Sequence, residues 1–219
     1  MWCIGQITAQ YRERMYELCD LYARGYNPQE PVVGVDEKSK QLLATPRGAL
    51  PAKPGQAAKE DYEYERRGTC NLFVAVEPKG KHREVAVTER RTKADFVHFV
   101  CHLLNTVYAS VIVLHLVLDN LNTHFASAFQ EVLGAEAAAV VLARLQFHYT
   151  PKHASWLNVA EIEIGVMEKQ CTGRRLADRQ CLASEVTAWQ HRRNVEKHGI
   201  NWEFTREDAD QKLGRHYVT

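Results

Sequence analysis

The run Val111-Ile112-Val113-Leu114-His115-Leu116-Val117-Leu118 stops abruptly at Asp119-Asn120. It is far too short to cross a membrane, and its consecutive apolar positions predict a strand buried on both faces, inside a sheet covered by helices. A second stretch, Thr150-Pro151-Lys152-His153-Ala154-Ser155-Trp156-Leu157-Asn158-Val159-Ala160-Glu161, passes through a loop and reaches another acid at a helix start. A buried strand ending on a carboxylate, followed by a loop, a cap and a further carboxylate, can assemble an acidic metal site.

A chain of 219 residues suits one domain with appendages. With 28 Lys and Arg against 27 Asp and Glu, the overall field is nearly neutral and gives no direct sign of a polyanionic partner. Local basic clusters exist at Arg66-Arg67, Lys79 to Arg83, Arg90-Arg91 with Lys93, Arg174-Arg175 and Arg192-Arg193, and such clusters read first as solvated faces. The six cysteines form no C-x-x-C pair, which predicts reduced packing thiols rather than a zinc site or disulfide frame. No signal-peptide pattern is present, so a cytoplasmic location and no membrane partner are expected.

Apolar positions from Ile7 to Tyr22 predict a lead-in helix. Pro31 to Glu37 reads as a short buried strand ending in acid, and the Pro- and Gly-rich stretch after Thr45 as an inserted loop over 45–68. Cys70 to Glu77 and Glu84 to Thr88 flank Pro78-Lys79-Gly80-Lys81 as a hairpin. Lys93 to Tyr108 is predicted as an amphipathic helix, Phe125 to Arg144 as an Ala-rich helix and Leu145 to Tyr149 as a strand. Helices follow at Val159 to Gln170, Leu182 to Lys197 and, after the Thr205/Asp208 cap, Arg206 to Leu213. The expected domains are a lead-in helix (1–30), a catalytic unit (31–180) and C-terminal helices packed on it (181–219). The order of elements predicts an α/β fold: a ribonuclease H-like mixed five-stranded sheet with helices on both faces.

In such a sheet the first and fourth strands are central neighbours, which brings Asp36 and Asp119 together. Two carboxylates at that distance call for a cation, and magnesium prefers such oxygen ligands. Glu161, on a helix over the same edge, is the expected third ligand; two metals would then serve an in-line phosphoryl transfer. Each acid has a bland reading: strand-end turn residues for Asp36 and Asp119, a helix cap with Asn158 for Glu161. Glu163 competes with Glu161, but residues two apart on a helix point to different sides, and Gly165 shares the face of Glu161. Asn120 and His124 are expected to orient Asp119 or touch phosphate, outside the ligand set. His148 and His153 match no helical zinc motif.

Several groups of residues together resemble a known family. They are Val35-Asp36-Glu37 with Lys40-Gln41-Leu42, Asp61-Tyr62-Glu63-Tyr64, Asn71-Leu72-Phe73, Leu118-Asp119-Asn120 with Thr123-His124, and His148 to Glu163, with Ser155-Trp156-Leu157-Asn158-x-x-Glu161 the most specific. The family is the DDE transposases of bacterial insertion sequences in the mariner superfamily, and the likeness runs from Trp2-Cys3-Ile4 to Lys212-Leu213. It implies a catalytic domain that cuts transposon ends and joins them to target DNA with Mg²⁺ or Mn²⁺, two ions, through Asp36, Asp119 and Glu161. It also implies a homodimer, in which the loop after Asp36 reaches the partner, and nucleoid association when acting in a bacterial cytoplasm. Arg66, Arg67, Lys152, His153, Arg174 and Arg175 are candidate DNA contacts that position phosphates rather than read sequence.

Two departures from that family stand out. No helix-turn-helix DNA-reading unit is visible, so a separate helix-turn-helix partner chain is an expectation. Between Asp119 and Glu161 lie 41 residues (120 to 160), more than is usual, with the excess in Ala126 to Arg144. Two alternatives accompany the transposase reading: a nuclease of the same fold that cuts without joining, and an inactive truncated remnant.

Overall fold

A computed structural model describes residues 5–47, 50–59, 62–121 and 123–218. Trp2-Cys3-Ile4 and Asp61, which contribute to the family likeness, lie outside the described residues, as does part of the expected loop. Helix α1 (Ala9–Ala23) is followed by strand β1 (Val32–Ala44), and a long hairpin continues through β2 (Glu65–Glu77) to β3 (His82–Thr88). Next come α2 (Lys93–Asn105), β4 (Leu114–Leu118), α3 (Ala126–Leu133), α4 (Ala135–Leu142) and β5 (Leu145–Tyr149). A 3₁₀ turn at Ser155–Leu157 then leads into α5 (Val159–Met167), α6 (Arg179–Val195) and α7 (Arg206–Leu213).

The five strands lie in the order β3-β2-β1-β4-β5. β1 pairs antiparallel with β2 and parallel with β4, and β4 pairs parallel with β5, so the expected mixed ribonuclease H-like sheet is present with β1 and β4 as central neighbours. Side-chain alternation sorts the faces. Val33, Val35, Phe73, Ala75, Leu114, Leu116 and Leu118 pack with α2, α3 and α4 on one face. Leu72, Val74, Val76 and Val117 face the opposite way, where α1, α5, α6 and α7 cover them.

Several expected boundaries move. β1 does not end at Glu37 but continues to Ala44, paired with β2 as far as Glu65, so Asp36 stands within a strand. Hydrogen bonding to β2 carries β1 beyond the reach of β4, through a polar stretch, Lys38-Ser39-Lys40, that composition alone reads as loop. Val111 to Val113 are not strand: the Ile112 and Val113 N–H groups bond the Gln29 carbonyl, and Ile112 is exposed. The Ala-rich helix breaks at Gly134, whose φ of +80° an α-helix excludes, giving α3 and α4. The helix beginning at Val159 leaves α-geometry at Met167 and continues as a π turn, Glu168–Thr172. α6 starts at Arg179, three residues ahead of the expected Leu182, because Asp178 caps it by accepting from the Cys181 N–H.

Candidate active site

Register brings Asp36 and Asp119 together. The β1/β4 ladder pairs Val32 with His115, Val33 with Leu116 and Gly34 with Val117. The same offset, two residues further along, sets Asp36 level with Asp119, just past the end of β4. Since Val35 and Leu118 face α2, alternation turns both Asp36 and Asp119 toward the face that carries α5.

Helix α5 approaches this edge closely because of two residues. Asn158 is fully buried; its Nδ2 donates to the Val35 carbonyl (2.9 Å) and its Oδ1 accepts from the Ala160 N–H (3.1 Å), so one side chain both caps α5 and fastens it to β1. Gly34 leaves room for that contact: a Cβ there would lie 2.6 Å from Val159 Cγ2, 2.8 Å from Asn158 Oδ1 and 3.1 Å from the Ala160 nitrogen. Tyr22 of α1 steadies the same turn, its hydroxyl donating to the Leu157 carbonyl (2.9 Å).

Glu161 lies on the first turn of α5, exposed, with no hydrogen bond or ion pair among the described residues. The carboxylate does not fold back to complete a capping box with Asn158, and its charge is felt at Asp36. A Cβ added at Gly165 would meet nothing within 4 Å, so the spacing expected to leave this face clear does so. Glu163 points elsewhere. It is fully buried and bridges Arg83 (3.0 Å) and Arg193 (2.7 Å), which ties α5 to β3 and α6. Arg83 and Arg193, grouped by sequence with solvated basic clusters, are therefore interior residues.

The electrostatics differ from one acid to the other. Burial, together with the charges of Asp119, Glu37 and Glu161, pushes Asp36 up to about 7 against a bond from the Glu37 N–H. Burial also works against ionisation of Asp119, but the His124 hydrogen bond and charge, the Leu121 N–H and Arg91 outweigh it and hold Asp119 below the usual range. His124 is fully buried, with Nδ1 2.7 Å from Asp119 Oδ1 and Nε2 2.7 Å from Glu37 Oε1. Burial opposes its charge, yet the bonds to Asp119 and Glu37 prevail and raise it to about 9. The Leu121 N–H also bonds Oδ1 of Asp119 (3.1 Å), so both contacts converge on one oxygen, and Oδ2 has no hydrogen-bond partner among the described residues.

Asn120 braces the loop instead of Asp119: its Oδ1 accepts from Arg14 of α1 (3.0 Å) and its Nδ2 donates to the Thr150 carbonyl (2.5 Å). Lys152 and His153 are exposed on the loop leaving β5, whose last residue pairs with Leu118, so they share the edge of Asp119. The other candidate DNA contacts stand apart. Arg66 pairs with Leu43, seven residues beyond Asp36 and so about 23 Å along β1. Arg66 and Arg175 lie over the Tyr64 ring (6.0 and 5.5 Å), Arg67 pairs with Glu65 (3.0 Å), and Arg174 with Glu185 (2.5 Å). Sequence reasoning missed Gly34 and Glu37. A glycine inside a strand is a recognised sign of close approach, whereas nothing in the spacing announced Glu37 beneath His124.

Among the described residues no three acid, His or Cys side chains stand close enough together to hold an ion as they lie. The donor set nevertheless fits a hard divalent cation: two neighbouring carboxylates, one with an open oxygen, and an exposed third on the adjoining helix.

A profile of the DDE superfamily endonucleases matches residues 31–183. The fold is similar to that in the Mos1 mariner paired end complex with Mn, at 15% identity and a TM-score of 0.58, covering 99% of this chain and 65% of that one. It is also similar to that in the Mos1 strand transfer complex, at 15% identity and a TM-score of 0.56, covering 93% of this chain and 66% of that one. The chain thus spans just under two thirds of the length of these solved relatives. No protein with a curated description matches. Because the profile begins ahead of β1, extends past α5 and so spans Asp36, Asp119 and Glu161, the chain belongs to the DDE superfamily endonuclease family.

Proposed function

We propose that this chain is the catalytic domain of a transposase, performing metal-dependent DNA strand cleavage and strand transfer. What supports the reading most is that the β1/β4 register sets Asp36 level with Asp119 while the charge of Glu161 reaches Asp36 from α5, in a chain of the DDE endonuclease family. The two Mos1 structures of similar fold, a paired end complex with Mn and a strand transfer complex, support it.

Asp36, Asp119 and Glu161 would hold Mg²⁺ or Mn²⁺, two ions in this reading, which supply Lewis-acid polarisation of the phosphate and a more acidic attacking water or 3′-hydroxyl. The chain's own residues do the rest. His124 and the Leu121 N–H fix one oxygen of Asp119, and the Glu37 N–H fixes Oδ1 of Asp36 (2.7 Å). Asn158 sets the height of Glu161 above the sheet through the Val35 carbonyl. Lys152 and His153, both exposed, would take phosphate at the reacting edge. Arg66, Arg67, Arg174 and Arg175 would contact DNA further out, past the reach of a single scissile phosphate. A homodimer on paired ends, with recognition by a helix-turn-helix unit outside these residues, belongs to the same proposal.

Incubating the chain with labelled DNA carrying the ends of its element, with Mg²⁺ or Mn²⁺ and alongside Asp119→Ala, tests the reading. Joined products lost in the variant are expected. Cleavage without joining would make the protein a nuclease, and no metal-dependent activity in either protein would overturn both enzyme readings.

A further inference from the structure

We infer that Glu37 is a positioning residue, acting on Asp119 through His124 so that one oxygen of Asp119 stays committed to the protein and the other stays open to the cation. The inference rests on the reading of Asp119 as a metal ligand. Successive strand residues face opposite ways, so Asp36 faces α5 and Glu37 faces α2. On that side the Phe96 ring of α2 lies 4.5 Å from the His124 ring, and the Tyr149 hydroxyl donates to the His124 backbone carbonyl (2.9 Å), so α2 packs the ring while β5 holds the backbone that carries it. Its Nε2 faces Glu37 Oε1 and its Nδ1 faces Asp119 Oδ1, each at 2.7 Å. Both neighbours are carboxylates, so both ring nitrogens donate, and the ring cannot turn without losing one of the two bonds.

Stability alone does not account for this trio. The side chains of His124 and Glu37 are buried at 0% and 3% exposure, and buried ionic groups recover little more than their desolvation cost. An apolar residue at 37 would pack against the apolar face of α2 without that cost. What the charges do achieve is orientation: Asp119 stands just beyond the end of β4, where the ladder no longer constrains it, and Glu37 holds it from the neighbouring strand. Hydrogen-bonding groups behind a metal ligand commonly change metal affinity by about 10–100-fold.

The test measures Mn²⁺ binding to the full chain, without DNA, by the electron paramagnetic resonance signal of free Mn²⁺, with melting followed in parallel. Glu37→Ala and Glu37→Leu, which remove the acceptor, are expected to weaken Mn²⁺ binding about 10–100-fold. Glu37→Gln, whose amide oxygen still accepts from Nε2, should recover most of it. Asp119→Ala separates the two readings. If it binds Mn²⁺ as the wild type does, the metal site itself is misassigned. If it loses Mn²⁺ while the two Glu37 removal variants bind normally, only the positioning role fails. Failure of both removal variants to fold would also overturn the inference, because Glu37 would then serve the fold.

Discussion

Glu161 and Glu163 stand two positions apart on α5 in opposite surroundings, one exposed and, among the described residues, unpaired, the other buried between two guanidinium groups. Helical geometry alone separates their directions, so it was legible from spacing that the two would not share one face. The identity of the partners of Glu163 was not, because Arg83 and Arg193 are 80 and 30 residues away along the chain and look like surface cations in sequence. The contrast makes a paired prediction. Glu163→Ala leaves two buried cations without their carboxylate and should cost about 3–5 kcal/mol in denaturant unfolding. Glu161→Gln should leave unfolding unchanged to within about 0.5 kcal/mol while abolishing Mn²⁺-dependent DNA cleavage. If Glu163→Gln, in a folded protein, were the variant that lost cleavage, the assignment of the third ligand would be wrong.

At the scale of elements, hydrophobic periodicity placed most strands and helices along the chain, their succession matched a ribonuclease H-like sheet, and the errors have local causes. The apolar stretch Val111 to Val113 is anchored to Tyr108 and Gln29, not to the sheet, which composition cannot distinguish from strand. The polar half of β1 is strand only because β2 pairs with it. Gly134 is the more instructive case: an Ala-rich pattern conceals a residue at φ +80° that ends one helix and starts the next. Gly134→Ala should destabilise the protein by about 1 kcal/mol or more, since space is open there and only the backbone conformation resists. Gly34→Ala is different, because its Cβ would run into Val159, Asn158 and the α5 backbone. Overpacking of this kind costs about 1–3 kcal/mol. Because the displaced element carries Glu161, strand cleavage should fall by more than the stability loss explains, measured where both proteins remain folded. A Gly34→Ala enzyme of normal activity would show that α5 does not set the position of the acid.

Across the whole molecule, the central pair of strands concentrates acidic groups whose charge the free protein neutralises only in part. His124, the Leu121 N–H and Arg91 answer Asp119, whereas Asp36 meets burial plus three acidic neighbours. The cost of that arrangement is carried by the apo fold and should be relieved by whatever binds there. A ligand at about 100 times its Kd adds about 2.7 kcal/mol to stability, which for a chain of this size raises Tm by roughly 5–10 °C. Mn²⁺ should therefore raise the melting temperature of the wild type by that amount, and chelation should reverse it. Asp36→Asn removes one of the two facing carboxylates while keeping its shape, so without metal it should melt at or above the wild-type temperature. With metal the order should invert, because the variant has lost a ligand and gains little. Calorimetric melts of both proteins with and without Mn²⁺ decide the matter: an equal response in both would mean that the cation binds somewhere other than the edge shared by β1 and β4.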